Sequence, residues 1–220
     1  MELSSLINQL FGSAFFPFLA VIIIFVFFVF ISSLLPSKGD MGELYVNRAL
    51  KKHLDNDVYY LIEDVTFPYK EGTTQIDHIL ISKYGVFIIE TKNYTGWIFG
   101  GINQKQWTQK IYRETYRFQN PIHQNYKHMK VMEEFLGIDK SALYSIIVFA
   151  GDAEFKTSLP ENVVYLSELI PYIEEKRELK LSEKQVSDYY FGINMFMLER
   201  GGKTKTEHNS HVQEIIKRKN

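Results

Sequence analysis

The chain has 220 residues, 45% of them hydrophobic, and a formal net charge of −1. That length fits one ordinary domain with an appendage and argues against a multidomain machine. The absence of cysteine excludes disulfide scaffolds, thiolate zinc sites, iron–sulfur clusters and cysteine nucleophiles. The near-zero charge excludes a histone-like basic binder but leaves room for a local basic surface.

Residues 1–13 form a short leading segment. From Ala14 to Ile31 the chain reads AFFPFLAVIIIFVFFVFI, eighteen residues without a charge or a hydrogen-bonding side chain. Ser32 to Leu35 extend this run before Pro36 closes it. About 20 apolar residues in a helix cross a hydrocarbon core of roughly 30 Å, so residues 14–35 predict a transmembrane helix held in a lipid bilayer. Glu2 is the one charge ahead of it, and no basic segment or small-residue cleavage site is present, which favours a retained anchor over a signal peptide. Lys38, Arg48, Lys51 and Lys52 follow the span and no Lys or Arg precedes it. The expected protein is single-pass, with its N-terminus outside and its main domain cytoplasmic.

After the anchor, residues 39–150 read as a domain core and 151–200 as a strand and helices that complete it. Residues 201–220 read as a polar basic tail. Asp40, with Glu43 three residues on, predicts a capped helix carrying Leu44, Ala49, Leu50 and Leu54 at helical spacing. Strands are expected at Val58–Val65, Thr74–Ser82 and Val86–Thr91, then a hairpin over Trp97–Tyr112 turning near Gly100–Gln104. Pro121 opens a helix that Gly137 stops near Leu136. Tyr144–Ala150 and Val163–Leu166 read as strands, and Ser167 and Ser182 as the caps of two final helices. Strands and helices in this order predict an α/β fold built on a central mixed β-sheet flanked by helices.

The stretch from Gln75 to Lys92 carries the chemistry. With Lys83 and Tyr84 at the centre of a turn, antiparallel pairing sets Asp77 opposite Glu90 and Gln75 opposite Lys92, all on one face. Opposed Cβ atoms lie about 4.5–5.5 Å apart, so two carboxylates there repel unless something neutralises them. A hard divalent cation such as Mg²⁺, which accepts one or two carboxylates and fills its remaining positions with water or phosphate, would do so. Lys92 on the same face can hold water and stabilise phosphate charge. On spacing alone an ordinary cross-strand ion cluster is the favoured reading, because an acid followed two residues later by lysine is common.

The segments Gly42-Glu43, Gln75-Ile-Asp77-His-Ile, Gly85-Val-Phe-Ile-Ile-Glu90-Thr-Lys92-Asn93 and Asn120-Pro-Ile-His-Gln124 together resemble the nuclease-related domain family, which belongs to the restriction-endonuclease-like superfamily with its D…(D/E)xK signature. The resemblance implies a restriction-endonuclease-like core, Asp77 and Glu90 as ligands of Mg²⁺ or Mn²⁺, and the backbone carbonyl of Thr91 as a third. It implies Lys92 as the catalytic lysine, with Glu43 and Gln124 as accessory polar residues of the site.

Between Ile102 and Lys130, six basic residues (Lys105, Lys110, Arg113, Arg117, Lys127, Lys130) face one acid, Glu114, with Trp107 and other aromatics interleaved. Such a mixture suits a nucleic-acid groove, with Trp107 a stacking surface, or else a solvated hairpin whose aromatics enter the core. His78 reads as structural. His123 and His128, five apart, point to different helix faces, so no paired-histidine metal site is expected. No phosphate-cradling GxxxxGKS loop and no GxSxG motif occurs. The sequence thus predicts a membrane-anchored, metal-dependent nuclease acting on nucleic acid, DNA more readily than RNA. A homodimer is a further expected partner. A non-catalytic nucleic-acid-binding or protein-interaction module at the membrane is the alternative.

Overall fold

The computed structural model describes residues 15–34, 37–69 and 72–197. The chain divides into two compact units, 1–38 and 39–220. In the first, α1 (Phe15–Leu34) is one helix of twenty residues, and Phe18–Ile31 are all apolar and exposed. Among the described residues no helix is long and apolar enough to cross a membrane. The expected span also takes in residues 14 and 35, which lie outside the described residues, as do the leading segment 1–13 and the tail 201–220.

The second unit is a mixed α/β fold. Its main sheet has the order β1-β2-β3-β7-β9, with β1 (Tyr59–Tyr69), β2 (Gly72–Ser82) and β3 (Gly85–Lys92) forming an antiparallel meander. β7 (Leu143–Phe149) and β9 (Val163–Tyr165) add on in parallel. β3 and β7 read as continuous apolar runs because helices cover both faces. On one face, Ile79, Ile81, Val86 and Ile88 pack with Val131 and Met132 of α3 (Pro121–Leu136) and with Val186 and Ile193 of α5 (Glu183–Phe196). On the other, Leu80, Phe87 and Ile89 pack with Val46 and Leu50 of α2 (Lys38–His53) and with Leu169 and Ile173 of α4 (Leu169–Glu174). A second sheet, order β6-β5-β4-β8, is built from β4 (Gly96–Phe99), β5 (Gln106–Ile111), β6 (Glu114–Gln119) and β8 (Ala153–Phe155).

The β2–β3 turn falls at Lys83–Tyr84, between the paired residues Ser82 and Gly85. Gly85 has φ +137°, and a Cβ there would lie 2.6 Å from the carbonyl oxygen of Ala142, so both backbone and space demand glycine. Three local expectations change. α2 begins at Lys38, so Asp40 is a first-turn acid favoured by the helix dipole and not a cap. β1 runs on through Pro68 to Tyr69, which the sheet tolerates because β1 is an edge strand. Ser167 does not cap a helix: Glu168 accepts the N–H of Tyr165 at 2.9 Å in a 3₁₀ turn, and α4 starts after it. Ser182 does cap α5, with Gln185 returning a 3.0 Å hydrogen bond to the Ser182 N–H.

Candidate active site at the open end of the hairpin

Pairing between β2 and β3 keeps the expected register but stops at His78–Ile89. One row further, where Asp77 would meet Glu90, the ladder is open. β1 is interrupted at the same level: Glu63 pairs with His78 and Val65 with Ile76, but Asp64 between them has φ +57° and leaves Asp77 unpaired on that side. Aspartate is among the few residues that adopt this left-handed conformation. Asp77 is therefore released from the ladder, and its Oδ2 accepts the backbone N–H of Thr91 at 2.7 Å. The carbonyl of Lys92 is taken by the N–H of Ala150, just past the end of β7, at 2.9 Å. Alternation along the strand then turns the Thr91 carbonyl toward Asp77. Gln75 does not reach Lys92; it pairs opposite Thr66 and donates to Asp64 at 2.6 Å.

Glu90 is 1% exposed. Its Oε1 accepts a hydrogen bond from Lys92 Nζ, and its Oε2 lies 3.2 Å from His128 Nε2. Lys92 Nζ also donates to Gln124 Oε1 at 3.2 Å. Burial pushes the Glu90 carboxyl up, but the His128 hydrogen bond and the charge and hydrogen bond of Lys92 outweigh it and hold the group below its usual value. An ionised Glu90 can only accept, so His128 Nε2 carries the proton between them, while Nδ1 lies in hydrogen-bond contact with Thr74 Oγ1, 3.1 Å away. Asp77 goes the other way. Burial, then the charge of Glu90, push its carboxyl up to about 7, and Glu43 adds to the rise while Thr91 N–H and Lys92 oppose it.

The structure thus gathers Asp77, Glu90, Thr91, Lys92 and Gln124, with Glu43 of α2 close enough for its charge to act on Asp77. Gly42 makes that approach: a Cβ there would sit 2.7 Å from Cβ of Asn93. His128, the buried residue that sequence reasoning set aside, belongs to the same cluster. The signal was present in its i, i+4 relation to Gln124 on α3, not in its distance from His123. His78 is fully buried, and burial lowers it to about 4, in keeping with a neutral structural role. Among the described residues no group of three or more His, Asp or Glu side chains is arranged to hold a metal ion. The donor set nevertheless suits a hard cation of low protein-ligand count: two carboxylates that repel one another and a carbonyl on the same side.

The basic residues are spread more widely. Lys110 and Arg117 lie exposed on β5 and β6, Lys105 and Arg113 in the adjoining turns, and Lys127 and Lys130 on α3, where Lys130 pairs with Glu133 at 2.7 Å. Trp107 corrects an expectation. It is fully buried, stacks on Phe149 with ring centroids 6.2 Å apart, and offers no face to a base.

The nuclease-related domain model matches residues 38–150. The chain belongs to the nuclease-related domain family. A protein of Bacillus anthracis described as uncharacterized is 41% identical over 161 residues, covering 71% of this chain and 75% of the relative. The matched region of this nuclease-related domain contains the whole cluster around Asp77 and Glu90.

The raised Asp77 fixes the sign of a stability test. Its folded value of about 7 lies above the ordinary 3.8, so its contribution is fully present below about pH 4 and is lost as pH rises through 7. In metal-free buffer at about pH 8, Asp77→Asn should melt several degrees above wild type, with the gain shrinking as pH falls and vanishing near pH 4. Equal melting temperatures at both pH values would contradict this electrostatic picture.

Proposed function

We propose that the protein is a membrane-anchored, cytoplasm-facing nuclease that hydrolyses phosphodiester bonds, DNA in preference to RNA, with Mg²⁺ or Mn²⁺. The observation that carries the reading is the charge arrangement: Glu90, ionised and buried, held by Lys92 and His128 beside an Asp77 whose carboxyl is raised. A likeness to the restriction-endonuclease-like D…(D/E)xK superfamily agrees with it. Asp77, Glu90 and the Thr91 carbonyl would hold the cation, which supplies positive charge against the phosphate and acidifies a bound water. Lys92 Nζ, fixed between Glu90 and Gln124, orients the attacking water and stabilises negative charge that grows on the phosphoryl oxygens. Gln124 and His128 hold Lys92 and Glu90 in place, and Glu43 supports the cation side. The exposed Lys105, Lys110, Arg113, Arg117 and Lys127, with the half-buried Lys130, would carry the phosphate backbone.

The engagement of both Glu90 oxygens by Lys92 and His128 favours a second reading, a nuclease-related module that binds nucleic acid without cutting it. Cleavage assays separate the two. Wild type should cut DNA with Mg²⁺ or Mn²⁺ and not with EDTA, while Lys92→Ala lowers kcat by about 10²- to 10⁴-fold with nucleic-acid affinity within a few-fold. Cleavage that survives both Lys92→Ala and Asp77→Ala would remove the site, and no cleavage of DNA or RNA would leave the binding module.

Anchoring rests on the twenty-residue α1 and on the basic residues confined to its C-terminal side. The protein should stay with membranes through alkaline carbonate and leave them in detergent. A C-terminal tag should resist protease added outside intact cells. Release by carbonate would rule out the span.

A further inference from the structure

The second sheet has one face in the core and one in solvent. Ile98 and Trp107 point inward and are fully buried, against Phe149. The alternate residues point out. Trp97 of β4 is 45% exposed and lies directly between Lys110 of β5 and Glu154 of β8. One row on, Phe99 is followed by Thr108 and then by Arg117 of the edge strand β6. Lys156, which continues β8 by donating its N–H to Ile98 at 2.9 Å, lays its ammonium 4.7 Å from the Trp97 ring centroid; that of Lys110 is at 5.8 Å. Glu154, opposite Trp97 on β8, pairs with Lys156. Both ammonium groups thus lie within cation–π range of the exposed ring.

An exposed tryptophan in the middle of a sheet, with Lys110 and Lys156 beside it and Arg117 one row on toward the sheet edge, matches the chemistry of a stacking platform for an unpaired base with its phosphates on either side. A stacked base contributes more than an exposed lysine–ring contact, so a base can displace either ammonium, which then meets phosphate. Duplex bases have their faces already covered and cannot use a lone ring in this way. Trp97 follows Lys92 by five residues, a contour of at most about 18 Å, so a strand on this platform lies close to the candidate active site.

We propose that the outer face of β4, β5 and β8 binds single-stranded nucleic acid, with Trp97 as the stacking residue and Lys110, Lys156 and Arg117 as phosphate contacts. This rests on the nuclease reading only for the fate of the bound strand.

Trp97 and the buried Trp107 are the only two tryptophans, so intrinsic emission reports the platform directly. The full chain, in mild detergent with EDTA so that nothing is cut, is titrated with oligothymidylate, oligouridylate and a duplex of equal length. Either single strand should quench emission, the tighter naming the sugar preferred. Trp97→Leu should weaken single-strand binding by about 5- to 150-fold with Trp107 emission intact as the check on folding. Lys110→Gln and Arg117→Gln should each flatten the salt dependence, by about 0.7 in logarithmic slope. Unchanged single-strand affinity in Trp97→Leu, or equal quenching and affinity with duplex, would overturn the proposal. Quenching without cleavage when Mg²⁺ or Mn²⁺ is added would remove the nuclease reading and leave the platform. Single-strand cleavage at unchanged KM in Trp97→Leu would remove the platform and leave the nuclease.

Discussion

An ionised carboxylate taken out of water costs several kcal/mol unless charge and hydrogen bonds replace what it loses. Glu90 is in that position, at the end of a strand whose other side chains are almost all core. Lys92 serves one of its oxygens and His128 the other. Each of those partners is in turn fixed, Lys92 by Gln124 and His128 by Thr74. Helix α3 therefore has to sit with Gln124 and His128 facing the strand end. Asn120 at its N-cap and Pro121 in its first turn set where that helix begins. Asn125 ties the same helix down, donating to the carbonyls of Ile88 and Ile146 on β3 and β7.

The cost of compensating Glu90 fully is borne by Asp77. Lys92 neutralises one carboxylate and not two, so Asp77 faces Glu90 with a backbone N–H as its main support and takes up a proton near pH 7. A group in this state responds to any positive charge brought beside it by releasing that proton. The opened ladder and the left-handed Asp64 are the backbone side of the same arrangement, since a regular sheet would have kept Thr91 N–H for β2. Strain of this kind is commonly found where a fold serves a site.

Much of this was legible in the sequence because local signals agreed with the final fold. The Lys83–Tyr84 turn set the register that aligns Asp77 with Glu90, and Pro121 and Gly137 bounded α3. The pairing of Gln75 with Lys92 failed because register alone does not reveal where a ladder stops. The place of His128 is written in its spacing from Gln124, one helical turn before it, and not in its spacing from His123. β6 gave no periodic signal, as almost every residue in it is exposed. Trp107 was expected at the surface because aromatic content alone does not say which ring of a sheet faces water; the parity of the strand buries Trp107 and exposes Trp97.

The central claim is that Asp77 and Glu90 form one cation site whose two carboxylates differ in protonation. Calorimetric titration of Mn²⁺ into the metal-free protein near pH 7, repeated in buffers of different ionisation enthalpy, tests it most directly. The account predicts one ion per chain, release of about half a proton, and loss of both in Asp77→Asn. Binding that releases no proton, or that is indifferent to Asp77, would contradict it.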